Sequence, residues 1–261
     1  MRKQIWGLAF AAVMAPLSAN AYLVSDTYVG SGKNTGGAAG DVIGDTAKFD
    51  VLGLDASISG SVLTVDIFTK FVDHVGVYPT SSSAAYSGKG IGFGDLFLAT
   101  SWNPYGTAPS HIGDNATNGT LWQYGVSLDN RWSSTGGNAA LYQLSGATNS
   151  SNALLSNDFM KASGWEWRNK QEVAVKTGST SVTKISDASW AVNKALDKIS
   201  FTFDLSGTSL LGADNIAFHW AMSCGNDTIE GQFDNPYEVP APAAFGLALL
   251  AGLGLLRRRR R

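Results

Sequence analysis

One cysteine, seven prolines and a charged fraction of only 15% leave this 261-residue chain without several familiar routes to stability and catalysis. The lone Cys224 can form no intramolecular disulfide and no Cys-x-x-Cys pair, so packing must hold the fold, helped by a metal ion where one binds. No Gly-x-Ser-x-Gly elbow, His-Glu-x-x-His pair or phosphate-binding P-loop occurs. Their absence removes the commonest hydrolase, metalloprotease and nucleotide-binding signatures. The Glu-x-Asp-x-x-Glu strand motif of sandwich-fold glucanases is missing as well. The nearest carboxylates, Glu166 and Glu172, share strand parity but stand about 20 Å apart at 3.3 Å per residue, too far for a retaining pair. They read as solvated strand residues.

Amphipathic helical periodicity is also scarce; only "NALLSNDFMKAS" (152–163) could hold a turn or two of helix. What is present instead is 30 glycines, many Ser, Thr and Asn, and 28 aromatic rings from Trp, Tyr and Phe. That mixture reads as all-β. The clearest strand is "SVLTVDIFTKFVD" (61–73), where Leu63, Val65, Ile67, Thr69 and Phe71 alternate with Asp66 and Lys70. The segment 47–58 is expected to pair with it through a Ser59-Gly60 turn. Further strands are expected in 94–102, 120–129, 138–144, 166–178, 198–207 and 215–225. Many short strands separated by glycine-rich loops favour a single two-sheet β-sandwich of jelly-roll or lectin-like type over residues 22–238.

The two ends carry addresses. Met1-Arg2-Lys3, the apolar run Ile5 to Leu17 and the small-residue site Ala19-Asn20-Ala21 make a secretory signal peptide over residues 1–21, to be cut after Ala21 by signal peptidase. At the other end, Val239-Pro240-Ala241-Pro242 breaks regular structure. Ala243 to Leu256 then forms an apolar run of about 21 Å as a helix, short of a bilayer core of about 30 Å. Arg257, Arg258, Arg259, Arg260 and Arg261 stop transfer and stay cytoplasmic. This order of parts resembles the PEP-CTERM sorting signal of bacterial surface proteins, with Ala241 where the family's usual element has Glu. The resemblance implies a membrane-embedded exosortase that removes the tail over residues 239–261. It also implies a transient membrane anchor followed by display at the surface of a biofilm-forming bacterium with an outer membrane. The stretch "CGNDTIEG" (224–231), taken with "GDLFLAT", resembles segments of exported domains that carry such tails.

Charge narrows the partners. Seven of the 19 basic residues lie in the two end segments and all 21 acidic residues lie between them, leaving 12 against 21, about −9, on the exported part. Such a surface repels nucleic acid and anionic lipid and suits hydrated cations or neutral glycans. Calcium takes several oxygens from carboxylates, Asn and carbonyls. The candidate donors are Asp26, Asp45, Asp50, Asp95, Asn226, Asp227 and Glu230, an arrangement able to tie the first strand to a late loop. Trp102, Tyr105, Trp132, Trp165 and Trp167 lie in or beside loops among Asn, Asp and Gly, as rings that stack on sugars do. His219 and Cys224 fall on opposite faces of one strand, which argues against a nucleophile pair and makes Cys224 a buried small hydrophobe.

The expected function is a non-enzymatic, exported cell-surface or matrix protein associated with extracellular polysaccharide. One alternative is a polysaccharide hydrolase or lyase whose carboxylates come from separate strands, which Glu166, Glu230 and an Asp in one cleft would favour. The other is a structural coat protein with no defined ligand.

Overall fold

The computed structural model describes residues 22–78, 88–145, 154–156 and 166–235. The expected signal peptide, its cleavage residues Ala19 and Ala21, Trp165 and the whole sorting tail from Val239 to Arg261 lie outside them. Among the described residues no helix is long and apolar enough to cross a membrane.

Twelve strands account for most of the regular structure: β1 (Tyr22–Ser25), β2 (Val51–Ser59), β3 (Val62–Thr69), β4 (Leu96–Ala99), β5 (Tyr124–Leu128), β6 (Gly136–Leu144), β7 (Leu154–Ser156), β8 (Glu172–Val175), β9 (Val182–Asn193), β10 (Lys198–Asp204), β11 (Asn215–Ala221) and β12 (Thr228–Asp234). A four-residue helix α1 (Thr46–Phe49) is capped by the Asp45 carboxylate, which accepts from the Ala47 amide at 3.0 Å. The chain is therefore all-β, as its composition predicts. Ten of the strands form one antiparallel sheet in the order β1-β2-β3-β10-β9-β6-β5-β4-β11-β12, where two stacked sheets were expected. Its two edges approach one another, since β1 lies against β12. The sheet thus nearly closes into a barrel. Gly231 makes room at the seam: a Cβ there would sit 2.6 Å from Cγ1 of Val24 on β1.

Local sequence explains most of the inner wall. In β3 the alternating residues Leu63, Val65, Ile67 and Thr69 are buried, as the period of two predicts. The strand ends earlier than expected. Thr69 donates its hydroxyl to the Asp50 carbonyl at 2.9 Å and accepts from the Phe71 amide at 3.1 Å. That cap starts a 3-10 turn over Lys70–Asp73 which still buries Phe71 and Val72. The β2–β3 hairpin turns at Gly60, whose φ of +60° suits glycine. The interior is aromatic. Phe71 and Phe93 pack edge to face at 5.4 Å, Phe93 and Trp190 at 5.6 Å, and Phe218 stacks on Phe233 at 5.0 Å. Each such pair contributes about 0.5–1.5 kcal/mol beyond burial.

Part of the outer face is covered too. Phe97, Ala99, Ala217, Trp122, Leu144 and Val175 form a second apolar cluster outside the sheet. The small β7–β8 hairpin rests against β11 and β5. The helical turn expected around residues 154–156 is strand β7 instead, because Leu154 pairs with Val175 and Leu155 with Ala174. No side chain fits at Gly94, where a Cβ would lie 1.8 Å from the Ala221 carbonyl oxygen. The chain entering β4 is thereby pressed directly onto β11. This second layer, built from β8 and the loops 26–45 and 100–123, buries polar residues on the outside of β11 and β12.

Candidate functional site

The β11–β12 hairpin creates the first polar cluster. Register sets His219 opposite Glu230, both on the outward face, while Phe218, Trp220 and Ile229 point to the core. The His219 Nδ1 lies 2.9 Å from Glu230 Oε2, and its Nε2 lies 2.8 Å from the Glu172 carbonyl oxygen. The Glu172 carboxylate is 3.9 Å from Nε2. Glu230 Oε1 accepts from Trp102 Nε1 at 2.8 Å and from the Thr120 hydroxyl at 3.3 Å. Glu172 Oε1 accepts from Trp122 Nε1 at 3.3 Å.

All of these groups are sealed. His219 is 0% exposed, Glu172 3%, Glu230 5% and Asp114 2%. Burial alone would lower the His219 pKa, but the hydrogen bond to Glu230 and the charges of Glu172 and Glu230 outweigh it and raise it to about 9. Burial raises Glu172 to about 7 against the opposing pull of His219, and burial with the charges of Glu230 and Glu172 raises Asp114 to about 8. Tyr28 is pushed well above its ordinary value by burial and by Glu230. The cluster therefore combines a protonated imidazole with carboxyls that hold protons near neutral pH.

A second cluster sits at the barrel seam. Asp26 follows β1 directly, Asp227 precedes β12, and Asp41 comes from the loop between β1 and α1. Carboxylate oxygens of the three lie within 4.8 Å of one another. Asp227 is well partnered, accepting from the Val51 amide at 2.7 Å and the Thr228 amide at 2.9 Å. Asp26 is not: both its carboxylate oxygens are buried and take no hydrogen bond. Burial and the charges of Asp227, Asp41 and Asp50 raise its pKa to about 10. Among the described residues, the cation that acts on Asp26 is Arg168, which is fully buried and donates to the carbonyls of Ser31 and Gly40 at 3.1 Å and to that of Asp41. Burial also raises Asp227 well above its ordinary value, so without a cation the seam holds Asp26 and Asp227 as protonated acids beside an exposed Asp41. Oxygens sharing one Ca²⁺ at about 2.3–2.6 Å lie no more than about 5 Å apart, and this donor set meets that limit.

The seven calcium donors expected from the sequence thus separate. Asp26 and Asp227 come together, and Asp50 lies close enough to raise Asp26. Asp95 does not join them: it accepts from the Leu128 amide, Arg131 and the Val175 amide, and braces β4, β5 and β8. Asn226 donates to the Ile43 carbonyl at 2.7 Å, and Glu230 belongs to the histidine cluster. Asp45 caps α1. Asp41 was missed because an isolated acid in a glycine-rich loop carries no spacing signal.

The aromatic candidates also disperse. Trp102 is half-buried, bound to Glu230 and packed on His111 at 5.1 Å. Trp132 donates to the Gly90 carbonyl and lies under the Lys89 ammonium. Trp167 is half-buried beside Arg168, and Trp165 lies outside the described residues. Tyr105, at 56%, is the exposed ring among them. Glu166 is solvated as expected, ion-paired to Lys33 at 2.8 Å. Glu172 overturns its expectation, for the β7–β8 hairpin buries it against Trp122 and His219. Cys224 is buried in the core, its thiol pushed up to about 12 by burial, as an inert hydrophobe.

No family model, curated protein or solved structure matches this chain. The functional reading therefore rests on the residues and their geometry.

Proposed function

We propose that this chain is a non-enzymatic protein of the cell surface or extracellular matrix, exported by its signal peptide and released to the surface by exosortase-type removal of residues 239–261. The observation that carries the non-enzymatic reading is the sealing of the His219–Glu230–Glu172–Asp114 cluster. Those residues have the composition of an acid–base site, but each is at most 5% exposed and the imidazole spends both nitrogens on protein atoms. A polysaccharide cannot reach them without opening the layer above the sheet. The cluster is better explained as a buried polar brace between β8, β11 and β12.

A calcium ion held by Asp26, Asp41 and Asp227 belongs to the same reading. It would take the place of the protons that burial keeps on Asp26 and Asp227, and join the ends of the two edge strands. An acidic exterior further suits a partner without negative charge, such as neutral extracellular polysaccharide.

Two measurements test this function. Protein recovered from the surface of its native host is expected to lack Arg257 to Arg261 by intact mass; arginines still attached would refute the sorting step. Incubation with the host's own extracellular polysaccharide is expected to give saturable binding with no new reducing ends. Their appearance would make the protein an enzyme and would show that the buried cluster opens.

A further inference from the structure

The outer face of β5, β6 and β9 carries a groove of about 670 Å³ whose lining includes no residue of either acidic cluster. Its shape is written in side-chain size. Val126, Leu128, Ala139 and Leu141 point to the core, so Gly125, Ser127 and Ala140 face outward. Register puts Ser127, Ala140 and Asp187 in one row across the three strands, with Gly125, Tyr142 and Lys184 in the next. Ser127, Ala139 and Ala140 thus make the floor and longer polar residues stand along the walls, whereas Gly125 lies under Val175 of β8, whose Cγ2 a Cβ there would meet at 2.4 Å.

The wall chemistry is that of sugar recognition. Tyr142 is a half-exposed ring, able to stack on the apolar face of a pyranose. Four residues along β6, about 13 Å at 3.3 Å per residue, the exposed Asn138 offers both a donor and an acceptor. Neither the Asn138 amide nor the Ser127 hydroxyl makes a side-chain hydrogen bond among the described residues. Asp187 and Lys184 form an ion pair at 2.7 Å, so the one cation among the described residues that line the groove is already paired. Asp129 adds a negative charge held in place by the Asn130 amide and Trp190 Nε1. The volume lies within the usual range for a bound small ligand, about 300–1,000 Å³.

We infer that this groove binds a segment of neutral polysaccharide laid along β6, with Tyr142 stacking on one ring and Asn138 and Ser127 hydrogen-bonding to hydroxyls. The inference rests on the matrix reading above and moves its binding surface from the loop tryptophans to the sheet. Sequence reasoning missed it because β9 went unrecognised, so the third strand of the floor was absent.

The test uses the full chain in mild detergent against the host's extracellular polysaccharide, split by anion exchange into neutral and acidic fractions. Wild type is expected to bind the neutral fraction. Tyr142→Ala and Asn138→Ala should each weaken binding about tenfold, equivalent to about 1.4 kcal/mol. Thr177→Trp, at an exposed position on the rim, should block it while leaving the thermal midpoint unchanged. Tyr105→Ala, away from the groove, should bind as wild type. Wild-type affinity in all three groove variants would overturn the groove and leave the matrix reading standing. Binding to the acidic fraction alone would overturn the neutral class of ligand. No binding of either fraction by wild type would overturn both.

Discussion

His219→Ala is expected to cost about 3–5 kcal/mol of folding stability, the range for removing one partner of a buried ion pair. Among the described residues the imidazole is the positive group bonded to Glu230, and it also sits 3.9 Å from the Glu172 carboxylate. Without it, two carboxylates and Asp114 remain in a sealed space with neutral donors to offset them: Trp102 and Thr120 on Glu230, Trp122 on Glu172 and Tyr28 on Asp114. Urea unfolding of the two proteins at pH 6.5 measures the difference; a loss below about 1 kcal/mol would mean the cluster is solvated in solution. The wild type has its own pH signature. His219 has a folded pKa of about 9 against an unfolded value of about 6.5. A raised value means the folded state holds the proton more tightly, so this stabilisation is fully present below pH 6.5 and disappears between about 6.5 and 9. Glu172, raised to about 7, acts in the same direction at lower pH. Stability should therefore fall on the alkaline side, with the imidazole still charged by NMR at pH 7.5.

How much of this was visible in the sequence depends on what each element buries. Strands with one wet face, such as β3 and β10, announce themselves by alternation, and both were expected. Strand β9 is central by hydrogen bonding, with Lys184, Asp187 and Ser189 outward and Ile185, Ala188, Trp190 and Val192 packed on the core, but the register irregularity at Ile185 breaks the alternation. Periodicity is too weak there to register. Strand β12 is short and holds Gly231 where Val24 packs, so it reads as a turn. Missing those two strands also hid the closure of the sheet, because β12 is the edge that meets β1. The histidine cluster stayed hidden for a related reason. Glu172 looks solvated until the β7–β8 hairpin is laid on the outer face, and Glu230 looks like a loop ligand until register sets it opposite His219. The pairing of Asp26 with Asp227 was legible, because an acid near the mature N-terminus and an Asn-Asp pair in a late loop are where a cation tying a terminal strand to that loop would sit.

Chelation is expected to lower the thermal midpoint of calcium-loaded protein by roughly 5–10 °C. A ligand at about 100 times its dissociation constant adds about 2.7 kcal/mol, and each kcal/mol is worth about 2–4 °C in a domain of this size. Asp227→Asn should abolish the shift, although it also weakens the acceptor for the Val51 and Thr228 amides. Asp26→Asn separates the two effects, because Asp26 accepts no hydrogen bond in the fold. In EDTA near neutral pH the Asp26→Asn protein should melt above the wild type, because it no longer has to protonate a buried acid on folding; in calcium the order should reverse. The pH dependence gives an independent check. Asp26 is raised to about 10 from an unfolded value near 3.9. Its contribution in the metal-free protein is therefore fully present below about pH 4 and is lost as pH rises toward 10. The calcium shift should grow from pH 5 to pH 8, and the two melting curves should converge in acid as protons displace the ion. A shift absent at pH 8, or one that survives Asp26→Asn unchanged, would show that the seam closes without a cation. Arg168 and a protonated Asp26 would then have to carry that closure themselves.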